Sequence, residues 1–213
     1  MMKRAIDLVV SGILLAFLAP IFLVVAVLVA VDSRGPVFYR QARIGREGRT
    51  FRMFKFRTMA VDADRRGGPS TPDDDPRITR VGRWLRKRKI DELPQLINVL
   101  QGDMSLVGPR PEVPVYVALY TGEERDILSV RPGITDWATL WNPDEGAVLA
   151  GRPDPEQAYL ELIRPQKIRL QLEYVHRHSV AVDVKILAQT ALVLVFGRRS
   201  LRSCGFSGEI REP

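Results

Sequence analysis

An uncharged apolar segment near the N-terminus constrains this chain more than any other feature. The nineteen residues Ile13–Val31 carry no charge and are interrupted only by Pro20. This length suits a helix that crosses a bilayer, which needs about 20 apolar residues. A secretory signal peptide is disfavoured because the run is long and no small-x-small cleavage site precedes Arg34. The segment therefore predicts a membrane-embedded helix.

Basic residues flank this segment on both sides and leave two topologies open. Cytoplasmic flanks attract Lys and Arg, so two basic flanks suggest that both ends lie on one side. Pro20 removes a backbone donor in mid-segment, and a helix broken there could enter the bilayer and turn back. From the residues alone, a re-entrant helix and a spanning helix are equally favoured. The flanking cations are Lys3, Arg4, Arg34, Arg40, Arg43 and Arg46.

Charge and cysteine usage narrow the function class. The chain of 213 residues suits one domain with an appendage, and its net charge is +7. That balance points to nucleic acid, an anionic membrane face or phosphorylated substrates. A single cysteine, Cys204, excludes intramolecular disulfides and thiolate metal clusters, and two histidines, His176 and His178, disfavour a zinc site. We expect the globular part to face a reducing cytoplasm.

A β-hairpin is predicted directly after the apolar segment. Val37–Tyr39 and Phe51–Phe56 have strand composition, and Gly45 and Gly48 supply a turn. Cations at a spacing of three along it indicate mainly a solvated surface or contact with anionic lipid headgroups. They are Arg40, Arg43, Arg46, Arg49, Arg52 and Lys55. Lys55, together with Arg57, is a better candidate for binding a phosphate.

The adjacent carboxylates Asp91 and Glu92 are the leading candidates for chemistry. Four consecutive cations, residues 86–89, lead into them, and Leu93–Leu100 has helical periodicity with a stop at Gly102. An isolated Asp at such a helix start is normally an N-cap. The second carboxylate and the number of cations exceed what a helix cap needs, and they favour a catalytic site instead. A helix N-terminus also attracts phosphate, which is consistent with such a site.

Two proline-bounded turns each present an arginine. Pro109-Arg110-Pro111 stiffens the backbone on both sides of Arg110, which suits bidentate phosphate binding, although a simple exposed turn has the same composition. Arg131-Pro132-Gly133 is a similar turn.

The remaining segments carry weaker signals. Residues 62–76 read as a loop, more typical of a linker than of a lid. Residues 156–175 read as helical with a break or new start at Pro165, and Val180–Phe196 as a membrane-interface helix, one packed under the first segment, or a core helix.

Six motifs in fixed order resemble the bacterial sugar transferases, the monotopic phosphoglycosyl transferases of polyprenol-linked glycan assembly. The motifs are Lys3-Arg4 with Asp7, Gly35-Pro36-Val37-Phe38, Lys55-Phe56-Arg57-Thr58-Met59, Asp91-Glu92-Leu93-Pro94-Gln95-Leu96, Gly102-Asp103-Met104-Ser105-Leu106-Val107-Gly108-Pro109-Arg110-Pro111 and Arg131-Pro132-Gly133-Ile134-Thr135. The chain departs from the family at Ala19, where a Ser is common, and at Asp136, where a Gly is common.

The resemblance implies a fold. We expect an α+β, mainly helical, monotopic membrane protein that corresponds to the family's minimal catalytic form. Residues 1–33 would form a re-entrant helix–break–helix segment with its break at Pro20. Residues 34–196 would form a cytoplasmic catalytic domain with a small β-hairpin and interfacial amphipathic helices. Residues 197–213 would be a disordered basic tail.

The resemblance also implies a reaction at the cytoplasmic face of the bacterial inner membrane. Sugar-1-phosphate moves from a UDP-sugar to polyprenol (undecaprenyl) phosphate, and UMP leaves. Asp91 would be the nucleophile, with Glu92 as a Mg²⁺ ligand or proton carrier and Asp91 as a second ligand. The candidate phosphate-binding residues are Arg110, then Arg88, Lys55, Arg57 and Arg131. The phospholipid bilayer is a partner, nucleic acid is not expected, and a homodimer is left open.

Two other functions fit the composition. One is a non-catalytic, membrane-tethered basic module that binds nucleic acid or anionic lipid, and the other is an inactive scaffold in a glycan assembly complex. Neither explains the adjacent carboxylates Asp91 and Glu92. The sequence does not identify the sugar.

Overall fold

The computed structural model describes residues 2–196. The tail predicted to be disordered, residues 197–213, lies outside the described residues. Within the described range the protein is mainly helical with a small β component, as predicted. The helices are α1 (Met2–Asp32), α2 (Ala63–Arg66), α3 (Arg80–Lys87), α4 (Gln95–Gln101), α5 (Pro114–Val117), α6 (Trp137–Trp141), α7 (Glu145–Leu149), α8 (Pro155–Ala158), α9 (Arg164–Arg177) and α10 (Val180–Phe196). The strands are β1 (Phe38–Ile44), β2 (Thr50–Phe56), β3 (Ser105–Val107) and β4 (Gly133–Thr135).

The predicted hairpin is confirmed. β1 and β2 pair antiparallel, with Phe38 opposite Phe56 and Ile44 opposite Thr50. Glu47 and Gly48 both have positive φ, of 59° and 73°, in the turn between the strands. This left-handed geometry matches the right-handed twist of the flanking strands, which is why a Gly is favoured there.

The apolar segment forms one helix, α1, of 31 residues with Pro20 inside it. The predicted division into two helices at Pro20 is therefore wrong. Proline removes one backbone hydrogen bond, which bends a helix without necessarily ending it. Among the described residues, α1 alone is long and apolar enough to cross a membrane, judged by length and composition. Most of its apolar side chains are exposed, unlike those of a core helix.

The N-terminal end of α1 is bound to the globular part. Lys3 Nζ lies 2.5 Å from a carboxylate oxygen of Asp183 on α10. The buried carboxylate of Asp7 accepts hydrogen bonds from Ser105 Oγ at 2.9 Å and from the Leu106 N–H at 3.1 Å. The first two turns of α1 are thus fixed against β3 and α10.

The C-terminal end of α1 is bound to the same globular part. The buried guanidinium of Arg57 donates to the carbonyls of Ser33 at 2.6 Å and Arg34 at 2.5 Å. A cation at this position complements the negative end of a helix dipole. Asp32 in turn accepts from the Val81 N–H at 3.1 Å, at the start of α3. An exposed apolar stretch of α1, which includes Ile13 and Phe17, lies between these two attachments.

The main core lies between the hairpin and α4. Asn98 on α4 is fully buried, and its amide oxygen accepts from the Phe54 N–H at 2.9 Å. Its amide nitrogen donates to the Arg52 carbonyl at 2.9 Å. These bonds fix β2 against α4 and therefore set the position of Lys55 relative to the residues just before α4. Other buried members of this core are Met53, Leu96, Val99, Met104, Leu106, Tyr174 and Ile186.

The two proline-bounded turns lie against each other. β3 and β4 pair parallel, with Ser105 opposite Gly133. A Cβ added at Gly133 would lie 2.1 Å from the Gly108 nitrogen, and one added at Gly108 would lie 2.4 Å from the Arg131 carbonyl oxygen. Only glycine allows this close approach of two backbones, so the Pro109-Arg110-Pro111 turn is held by its neighbour.

Residues 62–76, predicted as a linker, are packed onto the domain. They include the short helix α2, and the Ser70 N–H donates to Glu156 at 2.8 Å. The Asp73 N–H donates to the Gly146 carbonyl at 3.1 Å. The composition gave no sign of these anchors because their partners lie more than seventy residues away in the chain.

The C-terminal helices agree with the sequence pattern. Residues 155–177 are helical throughout, because α8 continues through a π-helical turn, Tyr159–Ile163, directly into α9. Pro165 lies in the first turn of α9, so the predicted break is this π-helical turn and not a separate helix start. α10 buries Ile186, Asp183 and Gln189 on one face and exposes apolar residues such as Val184 on another. α10 therefore packs against the domain with one face and presents apolar side chains on its outer face.

Candidate active site

Asp91 lies in a single 3-10 turn, Ile90–Glu92, between α3 and α4. Asp91 thus lies near the start of the following helix, as expected, but it is not the N-cap residue, because α4 begins at Gln95 with Pro94 before it. No side chain caps that end. Lys89 has φ of 56°, a strained left-handed conformation for a residue other than glycine. This turns the chain sharply after α3 and directs Asp91 inward.

Asp91 is buried and its carboxylate is incompletely satisfied. The residue is 5% exposed, and Oδ1 has no hydrogen-bond partner among residues 2–196. An orphaned buried carboxylate oxygen is costly, so such groups in native proteins commonly serve a ligand or a reaction. Burial, and then the neighbouring charge of Glu92, raise the pKa of Asp91, while Lys55 and Arg86 act against the rise.

Glu92 is held by two cations from distant parts of the chain. Its Oε1 accepts from Lys55 Nζ at 3.1 Å and from the guanidinium of Arg110. Burial alone would raise the pKa of Glu92, but Arg110 and then Lys55 outweigh it and hold the pKa well below its usual range. The two adjacent carboxyl groups therefore have pKa values shifted in opposite directions, an arrangement typical of acid–base and nucleophilic sites.

Four predicted site residues are thus brought together: Asp91, Glu92, Lys55 and Arg110. Three others are not. Arg88 is exposed and stacks over the Trp84 ring at 4.6 Å. Arg131 is exposed and donates from Nε to the Gly102 carbonyl at 3.0 Å, at the opposite end of α4 from Asp91. Arg57 binds carbonyls at the end of α1.

The pair Asp91 and Glu92 has a donor set that magnesium accepts. Among the described residues, no cluster of three or more His, Cys, Asp or Glu side chains is placed to hold a metal ion. Mg²⁺, however, commonly uses one or two carboxylates and completes its shell with water and substrate phosphates. The unpartnered Asp91 Oδ1 fits such a role, whereas Glu92 Oε1 is already engaged by two cations.

Comparison with known proteins identifies the family. A family model described as bacterial sugar transferase matches residues 1–197. The chain belongs to this family. The resemblance found in the six sequence motifs is therefore confirmed.

Several curated relatives of this bacterial sugar transferase are named as undecaprenyl-phosphate transferases. An undecaprenyl-phosphate glucose phosphotransferase of Komagataeibacter xylinus is 43% identical over 205 residues, covering 93% of this chain and 36% of that protein. A UDP-glucose:undecaprenyl-phosphate glucose-1-phosphate transferase of Escherichia coli is 36% identical over 199 residues, covering 89% and 39%. The exopolysaccharide production protein ExoY of Sinorhizobium fredii is 35% identical over 213 residues, covering 93% and 87%. The chain thus spans well under half the length of the first two of these proteins.

In this bacterial sugar transferase, one buried polar residue close to Asp91 in the chain was not predicted from the sequence. Gln95, four residues after Asp91, is fully buried, and neither of its amide atoms has a partner among the described residues. It lies within the motif that begins at Asp91, and its polar character in an otherwise apolar helix start was the available signal.

A buried network of ion pairs beside the site was also not predicted from the sequence. Lys167 on α9 lies 2.5 Å from Glu112 and 2.8 Å from Glu145. Arg43 on β1 donates to the Pro111 carbonyl at 3.0 Å. In the bacterial sugar transferase this network contacts the Arg110 turn at the Pro111 carbonyl, through Arg43. Charged residues at these spacings read as solvent-exposed in sequence, and no local pattern marks them as buried.

Proposed function

We propose that this chain transfers a sugar-1-phosphate from a UDP-sugar to polyprenol (undecaprenyl) phosphate and releases UMP. This would be the first membrane step in assembling a glycan such as an exopolysaccharide, capsule, O-antigen or glycoprotein glycan. The family assignment and the names of the relatives support the reaction class. The observation that carries the assignment to residues is the buried, unpartnered Asp91 Oδ1 beside the cation-bound Glu92.

In the first step, Asp91 attacks the sugar-linked phosphorus of the donor. An Asp91 carboxylate oxygen forms a bond to that phosphorus while the bond to the UMP oxygen breaks, and UMP leaves with the electron pair. The product is an aspartyl-phosphosugar. The raised pKa of Asp91 makes the ionised carboxylate a better nucleophile than an ordinary aspartate.

In the second step, the lipid phosphate regenerates the enzyme. A phosphate oxygen of the polyprenol phosphate attacks the same phosphorus, and the bond from phosphorus to Asp91 breaks. The polyprenol diphosphosugar forms and the free carboxylate of Asp91 returns. Because the acceptor stays in the bilayer, an enzyme attached to the membrane meets it in two dimensions.

Nearby cations offset the repulsion between an anionic nucleophile and anionic substrates. At about 4 Å and an effective dielectric of about 20, one unit-charge contact is worth roughly 4 kcal/mol. Arg110 presents a planar fork that suits a phosphate, and Lys55 adds a point charge. Both already surround Glu92 in the free protein, so they are positioned before the substrate arrives.

Magnesium belongs to this proposal. Asp91 and the carboxylate oxygen of Glu92 that Lys55 and Arg110 do not bind would hold the ion together with substrate phosphate oxygens. When bound, it supplies Lewis-acid stabilisation of the charge that develops on the transferred phosphate. Arg88, Arg57 and Arg131 lie outside the cluster, so we assign the phosphate contacts to Arg110 and Lys55.

We further propose that α1 is re-entrant as one helix bent at Pro20 rather than broken there, and that the domain rests on the cytoplasmic face of the bacterial inner membrane. A straight helix of 31 residues would be about 46 Å long, more than the roughly 30 Å of a bilayer core. A spanning α1 would place Lys3 and Arg57 on opposite faces. Their partners, Asp183 and the Ser33 and Arg34 carbonyls, belong to one packed globular unit. Attachment of both ends to that unit favours a return to the same face.

Cysteine labelling tests this topology. In a Cys204→Ser background, Met2→Cys and Arg34→Cys should both react with a membrane-impermeant maleimide only when it reaches the cytoplasmic face, because both side chains are exposed. Phe17→Cys, in the exposed apolar stretch, should be protected by lipid and become reactive in detergent. Labelling of the two ends from opposite faces would rule out re-entrance.

The activity is tested by UMP release from a panel of UDP-sugars with undecaprenyl phosphate in detergent or nanodiscs. We expect magnesium-dependent release that requires the lipid acceptor for multiple turnovers and that differs between sugars. An absence of release for every sugar, from protein that is folded and membrane-bound, would favour an inactive scaffold.

A further inference from the structure

Asp136 is a fully buried aspartate whose two carboxylate oxygens bind different parts of the protein. Oδ1 accepts from the Thr139 N–H at 2.7 Å and the Thr139 hydroxyl at 2.8 Å, and so caps α6. Oδ2 accepts from the Arg110 N–H at 3.2 Å and from Gln171 Nε2 at 3.3 Å. One oxygen therefore serves a helix and the other serves the Arg110 turn.

Helix capping does not account for a buried carboxylate here. Ser, Thr or Asn would cap α6 about as well with one neutral oxygen. Burial of a full charge is costly unless hydrogen bonds compensate it. The second oxygen, directed at Arg110 and Gln171, supplies the compensation and indicates a second role.

The Arg110 backbone depends on this contact to an unusual degree. Pro109 and Pro111 have no N–H, so Arg110 carries the one backbone donor of that turn. Asp136 accepts from that donor, and Gln171, also fully buried, donates to the Arg110 carbonyl at 3.3 Å. Both polar groups of the Arg110 backbone are thus held by two side chains that also bind each other.

We propose that Asp136, with Gln171, is a positioning residue that holds the Arg110 backbone so that its guanidinium meets Glu92 and the donor phosphate. The catalytic consequence rests on the proposed function, whereas the holding of the backbone does not. Displacement of a positioning group by about 1 Å is enough to slow a reaction about a hundredfold.

Asp136→Asn separates the two roles. The remaining oxygen can still cap α6, but the new amide group then faces the Arg110 N–H and Gln171 Nε2, so three donors meet. A flip of the Gln171 amide would relieve one clash and place its oxygen against the Arg110 carbonyl.

Thr139→Val is the matched control, because it removes one hydrogen bond to the same carboxylate and leaves the Arg110 side intact. We expect kcat/KM for the UDP-sugar to fall about tenfold to a hundredfold in Asp136→Asn and to stay near wild type in Thr139→Val.

Coupling to Arg110 distinguishes positioning from general damage. In an Arg110→Lys background, which already lacks the guanidinium fork, Asp136→Asn should cost far less than it does in wild type. Gln171→Met, which removes the donor to the Arg110 carbonyl with little change of shape, should reproduce the kinetic loss. Equal losses in both backgrounds would overturn the proposal, as would a Thr139→Val loss as large as that of Asp136→Asn.

Hydrogen exchange gives a readout that does not depend on activity. Within residues 109–111 the one exchangeable backbone amide is that of Arg110, so the difference between overlapping peptides isolates its exchange. Its exchange should be about fivefold faster or more in Asp136→Asn and unchanged in Thr139→Val. Unchanged exchange would overturn the proposal. Faster exchange in a protein whose wild type releases no UMP would refute the proposed function and leave the holding of Arg110 in place.

Discussion

Asp91→Asn should abolish turnover while leaving the protein folded and membrane-bound. An amide has nearly the same shape but cannot attack phosphorus, and loss of a nucleophile typically costs more than about a thousandfold in kcat. UMP release under saturating substrate is the measurement. Asp62→Asn is a suitable control, since that exposed carboxylate pairs only locally, with Arg66. Clear residual turnover of Asp91→Asn, once mass spectrometry has excluded deamidation to aspartate, would contradict the assignment.

The same substitution should not lower stability. Burial and Glu92 raise the pKa of Asp91, so its ionised form is disfavoured in the folded protein. The sign follows from linkage: ionisation lowers stability progressively as pH rises from the unfolded-state pKa of Asp91 through its raised folded-state pKa. Above that folded-state pKa the penalty is fully present, and Asn removes it. We therefore expect a Tm at pH 7 equal to or above that of wild type, with the difference vanishing in acid.

Glu92→Gln should lower both activity and stability. Glu92 accepts from Lys55 and Arg110, and its neutral replacement leaves two cations facing each other in a nearly dry site. Removing one partner of a buried ion pair typically costs about 3 kcal/mol or more. The loss of its charge also lowers the pKa of Asp91 and weakens the nucleophile, because Glu92 helps to raise that pKa. We expect kcat to fall about a hundredfold or more and the magnesium requirement to rise.

The pH dependence of this stability loss has a defined sign. The pKa of Glu92 is lowered in the folded protein, so its ionisation stabilises the fold above the unfolded-state pKa of a glutamate. That contribution disappears as pH falls through the folded-state pKa. The difference in Tm between wild type and Glu92→Gln should therefore be largest near neutral pH and should shrink in acid.

Glu124→Gln is the matched control for Glu92→Gln. The side chain of Glu124 is 20% exposed, against 18% for Glu92, and it binds Arg164 at 2.7 Å. It should lose some stability and keep its kcat within about twofold of wild type, since it does not touch the site. Equal inactivation of both variants would mean that Glu92 acts through the fold, and full activity of Glu92→Gln would remove it from the mechanism.

Local pattern predicted the hairpin and the longer helices, but it gave no sign of the parallel strands β3 and β4. Strand composition with Gly45 and Gly48 predicted the hairpin, and Pro165 predicted a break that the structure shows as a π-helical turn before α9, because these signals depend on neighbouring residues. Pro20 predicted a break that is not present, since whether a proline bends or ends a helix depends on tertiary contacts. The position of Asp91 depends on the left-handed conformation of Lys89. A lysine does not predict that conformation, which is usually adopted by glycine.

Partners of the arginines were the least predictable part of the site. Lys55 and Arg57 are two residues apart and would share one face of a strand, but β2 ends at Phe56, and Arg57 turns to the end of α1. Arg131 binds the carbonyl end of α4, where a helix dipole favours a cation. Resemblance to the family selected Asp91, Glu92 and Arg110 correctly as neighbours, whereas the roles of Asp136 and Gln171 required tertiary structure.

Capture of the covalent intermediate is the decisive test of Asp91 as the nucleophile. Wild-type protein and Asp91→Asn are mixed with an active UDP-sugar and Mg²⁺ without lipid acceptor, quenched in acid within one turnover and analysed by intact-protein mass spectrometry. Wild-type protein should gain the mass of one sugar phosphate, located by peptide mapping at Asp91, absent from Asp91→Asn and discharged by undecaprenyl phosphate. UMP formation that strictly requires the lipid acceptor, with no adduct on wild type, would contradict it and indicate direct displacement.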